Sequence, residues 1–407
     1  MQGEKKALLR GAAAGALGML LACILAVLLF LPGYGRHMTT MLKLGQILDT
    51  VDRQFIGEAD ADMMGDMAAY GMMKSLDDRY SLYLPAEIAE EYEANKYGET
   101  FGVGVQCVWD EERQAARVYR ILDGSSAKEQ GIQPGDWLLA ADGVTAAQDG
   151  YDALVEAVRG KEGTEVRVTF LHVENGAESE REVSLERRRL TQLMAEGELL
   201  EDRVGLIRIF SFHKGAAEQF EAAYQALQEQ GMERLVIDVR HNSGGLVSEM
   251  EQVADRFLPE CDVMILRRKN GREMRRTSGA EHDDIPLAVL ADEQSYSAAE
   301  FFAALMQEYG RAVTVGAKTT GKERAQNTYK LAGGSEIVLS DQQYLTPQGH
   351  ALGETGMTPD LEVALPEGAV FYFLEPGEDP QLAAAVGALA KKTAETGAEN
   401  SENVKNP

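Results

Sequence analysis

The chain has 407 residues, 44% of them hydrophobic and 26% charged, too long for one ordinary core and too apolar for a disordered chain. Its formal charge of -26 at pH 7 argues against nucleic acid or an anionic lipid surface as the main partner, because neutralising phosphates takes the opposite sign. Protein or peptide is the partner expected. The three cysteines, Cys23, Cys107 and Cys261, show no CxxC spacing, and the six histidines, His37, His172, His213, His241, His282 and His350, include no HExxH. Neither a disulfide framework nor a metal or other cofactor is therefore expected.

The first element is apolar. Gly11 to Leu31 carries no charge and ends at Pro32-Gly33, long enough for a bilayer core of about 30 Å and longer than the apolar part of a cleaved signal. Lys5, Lys6 and Arg10 precede it, so residues 1–36 read as a cytoplasmic tip and a single transmembrane anchor, with everything after Arg36 extracytoplasmic at the cell membrane. The rival is a lipobox at Leu20-Leu21-Ala22-Cys23, but apolar residues continue after Cys23. A cytoplasmic enzyme would require the same segment to be a buried helix. From residue 38 to 97, Met41, Leu42, Ile47, Leu48, Val51 and Phe55, then Met63, Met64 and Met67, recur at helical spacing, which predicts a helical region with a core-facing stripe rather than a methionine-rich binding surface.

From Gly98 the pattern turns to short strands, Val103 to Val108, Ala116 to Ile121, Trp137 to Ala141 and Glu165 to Val173, with turns at Asp123-Gly124, Pro134-Gly135-Asp136 and Asp142-Gly143 and a helix from Tyr151 to Val158. Phe101-Gly102-Val103-Gly104-Val105 opens this stretch and Gly131-Ile132-Gln133-Pro134-Gly135-Asp136 lies within it. Residues 98–190 thus resemble a PDZ domain. In that family the glycine loop binds a free C-terminal carboxylate, and the peptide adds as a strand to the sheet edge; the resemblance assigns Phe101 to Val105 to that task. A nucleotide-binding reading of Gly102-Val103-Gly104 lacks its third glycine.

After Arg188-Arg189, strands and helices alternate: Val204 to Ile209, a helix from Lys214 to Gln230, Leu235 to Asp238, a helix from Ser248 to Phe257, then Pro286 to Ala291, a helix from Ala298 to Tyr309, Ala312 to Gly316 and Ile337 to Tyr344. This predicts a layered βαβ domain, residues 191–392, with its site at the strand ends. Asp379-Pro380 opens a last helix through Lys392, and the polar residues 393–407 read as disordered.

Ser297 falls at a predicted strand-to-helix turn, and Lys322 lies 25 residues later on a loop after the next strand. A serine and a lysine so placed can form a nucleophile and its base without histidine. The N–H of Ala298 at the helix start and those of Gly244 and Gly245 could supply an oxyanion hole. Asn242-Ser243-Gly244-Gly245 looks like the nucleophile loop of chymotrypsin-like proteases, but here it sits in an α/β region that follows the PDZ-like stretch, without a suitably placed histidine.

Five stretches in order, Gly205 to Phe212, Ile237 to Gly245, Ser297-Ala298-Ala299-Glu300, Gly321-Lys322 with Gln326, and Tyr344 to Gly349, resemble the C-terminal processing peptidases, or tail-specific proteases. The resemblance implies a crotonase- and ClpP-like layered α/β core behind a β-rich PDZ domain, with Ser297 as nucleophile, Lys322 as general base and Gln326 as the residue orienting the lysine. It further implies a membrane-anchored serine endopeptidase that captures apolar substrate C-termini, with no cofactor, and leaves room for a homo-oligomer or an activating partner protein. Glu323 stands where many relatives have glycine. A carboxylate aimed at Lys322 would keep it protonated, and the alternative is then a catalytically weak PDZ scaffold for extracytoplasmic partners.

Overall fold

The computed structural model describes residues 34–174 and 176–403, with residues 11, 15–22 and 24–25. Its contacts divide into two units, Met1–Asp77 and Asp78–Pro407. The apolar segment Gly11 to Leu31, with Cys23, lies in large part outside the described residues; among those described, no helix is long and apolar enough to cross a membrane.

The first unit contains α1 (Tyr34–Gln54) and α2 (Ala61–Lys74). Asp60 Oδ1 accepts the amides of Asp62 and Met63 at 2.9 and 3.0 Å, which satisfies donors the helix cannot pair itself. The methionine stripe differs from expectation. α2 buries none of its side chains, and Met63 and Met67 are exposed. Helical periodicity sets which residues share a face, not whether anything covers it.

The helical region also ends earlier than residue 97. β1 (Leu82–Leu84) interrupts it and, with α3 (Ala86–Lys96), belongs to the second unit. Leu84 and Ala89 pack on Val338. The PDZ-like region follows as β2 (Glu99–Gly102), β3 (Val105–Asp110), β4 (Ala115–Ile121), α4 (Ser126–Glu129), β5 (Trp137–Ala141), β6 (Val144–Thr145), α5 (Ala146–Val158), β7 (Glu165–Glu174), β8 (Ala177–Glu186) and β9 (Arg188–Thr191). Its sheet runs β3-β4-β5-β7-β8, with β6 on β5, and β2 pairs separately with β9. Val118, Leu138, Leu154, Val166 and Phe170 fill its core.

The remaining chain forms three layers. Next come β10 (Ala195–Leu199), β11 (Val204–Ile209), α6 (Ala216–Glu229), β12 (Arg234–Asp238), α7 (Val247–Asp255), β13 (Asp262–Arg268), β14 (Glu273–Thr277), β15 (Leu287–Ala291), α8 (Ala298–Glu308), β16 (Ala312–Gly316), β17 (Arg324–Lys330), β18 (Glu336–Leu345), β19 (Leu361–Glu362) and α9 (Pro380–Asn403). One sheet runs β10-β11-β12-β15-β16-β19, parallel from β11 onward. Alternate residues of these strands bury opposite faces. Ile237, Leu287 and Val289 pack toward α6, α7 and α8, whereas Val236, Ala288 and Leu290 pack under Leu382, Ala385 and Leu389 of α9. Burial on both sides explains why β15 is continuously apolar, and each such leucine or valine contributes roughly 1.5–3 kcal/mol. Asp379 caps α9 as its sequence predicts, accepting the amides of Gln381 and Leu382. The helix runs on to Asn403, past Lys392 where the polar composition predicts disorder; the alanines and glutamates among residues 393–403 are compatible with helix.

A second sheet, β1-β18-β13-β14 with β17 on β18, carries the segment after Lys322. PDZ and core are joined by aromatic contacts. Tyr119 of β4 stacks on Tyr372 with centroids 4.0 Å apart, and the Arg120 guanidinium lies over Phe210 and pairs with Glu196 at 2.7 Å.

Candidate active site

Ser297 lies just past the C-terminal end of β15, where ligands collect in open parallel sheets. Its φ of 59° is a left-handed backbone that a non-glycine residue adopts at a cost of about 1–3 kcal/mol. The turn is fixed from both sides. Asn242, fully buried, donates from Nδ2 to the Ile209 carbonyl and accepts the Gly244 amide, both at 2.8 Å. Asp292 accepts the amides of His241 and Gln294, each at 3.0 Å. Gly244 must be glycine: a Cβ there would sit 2.8 Å from Ser297 Cβ and 2.9 Å from the Ala298 nitrogen.

Glu300 joins this turn to the lysine. Its carboxylate, fully buried, accepts Ser297 N at 2.9 Å, Lys322 N at 2.7 Å, Gly321 N at 2.9 Å and the Thr319 hydroxyl at 2.9 Å. One carboxylate thus holds two stretches separated by 25 residues in register. Burial raises its pKa, against the opposing effect of these four donors.

Lys322 is 9% exposed. Its Nζ lies 4.5 Å from the Tyr80 ring centroid and 5.8 Å from that of Tyr296, and among the described residues it forms no ion pair. Burial lowers its pKa to about 8, with Glu300 and Asp78 pulling the other way. An amine with that pKa is partly neutral near pH 7 and can accept a proton.

Ser297, Ala298, Lys322, Gln326, Gly244 and Gly245 all line one cavity of about 890 Å³. Two roles differ from those the sequence suggests. Gly244 cannot offer its amide, which is bound by Asn242 Oδ1; the N–H groups of Gly245 and Ala298 have no partner among the described residues. Gln326 does not bond Lys322. Its Nε2 donates to the Ser340 hydroxyl at 2.9 Å and the Arg324 carbonyl at 2.8 Å, because a bulge between Ala325 and Gln326 shifts the register of β17 against β18. Glu323 does not line the cavity; its carboxylate lies beside Gly353. Ser243 lines the cavity wall. Tyr80 carries no sequence signal of its place over Lys322, and the sequence shows Glu300 only as part of the Ser-Ala-Ala-Glu stretch, although Ser-x-x-Glu at a helix start is a readable capping pattern.

A second cavity, of about 270 Å³, lies between Phe101 to Val105 and the Tyr151, Leu154, Val155 and Val158 face of α5. The N–H groups of Val103 and Gly104 have no partner among the described residues. Gly104, at φ 86°, lets the loop approach Ser125, whose Cβ would lie 2.1 Å from an added Cβ.

A parallel sheet whose strand-end turn places a serine in one cavity with a buried lysine, beside a β domain with a glycine loop, defines the class. A model of peptidase family S41 matches residues 203–363 and a PDZ-domain model matches residues 117–171, in line with the resemblance to C-terminal processing peptidases. It is similar to a probable CtpA-like serine protease of Staphylococcus saprophyticus, 27% identical over 330 residues, covering 80% of this chain and 66% of that protein. A probable CtpA-like serine protease of Staphylococcus aureus strain COL is 29% identical over 329 residues, covering 80% and 65%. The chain therefore spans just under two thirds of the length of these relatives. Its fold matches that of the photosystem II D1 C-terminal processing protease with a TM-score of 0.52 at 22% identity, covering 80% of this chain and 94% of that one.

Proposed function

We propose that the protein is a serine endopeptidase working by a Ser-Lys acyl-enzyme mechanism on proteins whose apolar C-termini bind in the PDZ groove. The observation that carries this is Lys322, desolvated to a pKa of about 8 in the same cavity as Ser297 and tied to it through Glu300. Ser297 Oγ attacks the scissile carbonyl while its proton passes to the Lys322 amine. The Ala298 and Gly245 amides receive the developing oxyanion. Lys322 then protonates the leaving amine, and water hydrolyses the ester. Gln326 lines the same cavity but bonds the Ser340 hydroxyl and not Lys322. The groove at Phe101 to Val105 takes the free carboxylate on the amides of Val103 and Gly104 and the last apolar side chain against Leu154 and Val158.

The apolar, positively flanked segment at Gly11 to Leu31 supports a single-pass anchor with the catalytic unit outside the cytoplasm. The scaffold reading rested on Glu323, whose position beside Gly353 removes its motive. The test is cleavage of a loosely folded protein with an apolar C-terminal tail by the wild type, Ser297→Ala and Lys322→Ala. Loss of cleavage in both variants is expected; cleavage that survives Lys322→Ala would rule out the lysine as base.

A further inference from the structure

Tyr344 lies in β18, paired with Leu266, and its side chain lines the cavity with Ser297, Ala298 and Lys322. It is held from several directions. Its amide donates to the carbonyl of Glu323, the residue after Lys322, at 2.9 Å. Its ring meets Phe301 of α8 edge-on, with centroids 5.4 Å apart and planes at 89°. The residue is 3% exposed, yet among the described residues its buried hydroxyl oxygen makes no hydrogen bond of normal length and angle, the Ser297 hydroxyl reaching it only as a weak partner. Leaving a buried hydroxyl unpaired costs about 1–3 kcal/mol, so a rigidly held phenol in that state calls for a functional account. The group beside it is the Ser297 hydroxyl.

Burial, and after it the Glu300 carboxylate, pushes the phenol well above its ordinary range, while the Ser297 hydroxyl acts the other way. Tyr344 therefore keeps its proton throughout the range in which Lys322 titrates. It is a donor and not a second base.

We propose that Tyr344 is a further catalytic residue of this site, donating a hydrogen bond to Ser297 Oγ as the nucleophile loses its proton. The proposal rests on the serine-nucleophile reading above. In the step, the O–H bond of Ser297 breaks and its proton passes to the Lys322 amine. An Oγ electron pair forms the bond to the carbonyl carbon, and the carbonyl π pair moves to its oxygen. Tyr344 loses nothing. Its bond to Oγ is strongest while Oγ carries partial negative charge and weak in both the resting hydroxyl and the acyl ester, so it stabilises the transition state differentially.

Tyr344→Phe removes one oxygen and leaves the ring on Phe301. With the full chain, three quantities are compared with the wild type: the rate of Ser297 phosphonylation by a fluorophosphonate, in which Oγ attacks phosphorus and fluoride leaves, the kcat and KM of tail-substrate cleavage, and Tm. Phosphonylation and kcat are expected to fall roughly 10- to 100-fold, below or near the lower end for loss of one preorganised donor. KM stays within about twofold and the acid limb of the pH profile stays where Lys322 sets it. Tm holds or rises, since the resting fold has only a weak bond to lose. An unchanged phosphonylation rate overturns the proposal. So does a fall in Tm that accounts for the lost rate. A wild type that the probe never labels removes the serine-nucleophile reading and this proposal with it, and is recognised before any substitution is made.

Discussion

The PDZ groove and the cavity at Ser297 use one backbone device for different ends. Each is shaped by a glycine in left-handed backbone, Gly104 in one and Gly244 in the other, and in each an added Cβ would collide with a serine, Ser125 or Ser297. The surroundings then diverge. Around the groove, burial pushes the Cys107 thiol and the Tyr151 phenol up to about 12, so these two walls stay neutral, while Arg159 also lines the groove and brings a guanidinium to it. Around Ser297, burial pushes a lysine down toward neutrality and a carboxylate up. The phenol and thiol buried at the groove are groups already neutral in water; the proposed Ser-Lys site buries groups that are charged in water and holds them in tension.

The largest test of that difference is Ser297→Ala. Cleavage should fall by a factor on the order of 10⁴–10⁶, while calorimetric affinity for a peptide with an apolar C-terminus stays unchanged; substantial residual cleavage sinks the nucleophile assignment. Glu300→Gln comes next. The amide keeps the shape but offers a single acceptor oxygen where two now serve four donors, so kcat should drop about 100-fold, in the range seen when catalytic groups are misplaced by about 1 Å. It also removes the leading charge that holds the Lys322 pKa up. The acid limb of the pH-rate profile should therefore move to lower pH, a shift that a merely structural loss does not produce.

Much of this architecture is legible in the sequence because burial on two faces writes itself as apolar runs. β15 and β16 are of this kind, and Asp379-Pro380 announces α9 chemically. β8 is not legible: of its ten residues only Val183 and Leu185 are buried, so its pairing with β7 is decided by register across a hairpin and not by local pattern. β1 is missed because three residues between helical stretches carry no periodic signal. At the site, Ser297 and Lys322 follow from residue type, position and resemblance. Hydrogen-bond direction does not. That Asn242 takes the Gly244 amide, that Gln326 turns to Ser340, and that Tyr80 rather than a polar side chain covers Lys322 depend on tertiary register alone.

The lysine gives a pH test of intermediate size. Phosphonylation of Ser297 by a fluorophosphonate should rise about tenfold per pH unit below about 8 and flatten above it, because only the neutral amine accepts the proton. The same depression has a stability sign. Lys322 titrates at about 8 when folded against 10.5 unperturbed, so proton binding favours the unfolded chain, and the cost of burying the charge is full below about 8 and gone above 10.5. At pH 7 that cost is about 3 kcal/mol. Lys322→Met should accordingly raise Tm at pH 7, with the gap over the wild type closing as pH is raised toward 10.5; a gap that does not change with pH contradicts a desolvated lysine.

The smallest effect belongs to the groove, where two neighbouring glycines separate recognition from folding. An added Cβ at Gly102 meets no atom within 4 Å, while at Gly104 it meets Ser125 at 2.1 Å. Gly104→Ala should therefore lower Tm by straining the loop, and its activity loss says little about binding. Gly102→Val places a β-branched side chain in β2, where the strand tolerates it, and fills the groove mouth. KM for a substrate ending in an apolar tail should rise about tenfold, equivalent to about 1.4 kcal/mol of lost binding, with kcat and Tm unchanged and no change for the same substrate with its C-terminus amidated or removed. If Gly102→Val alters tailed and tail-less substrates equally, the groove does not recruit the chain that Ser297 cuts, and selection rests with the cavity alone.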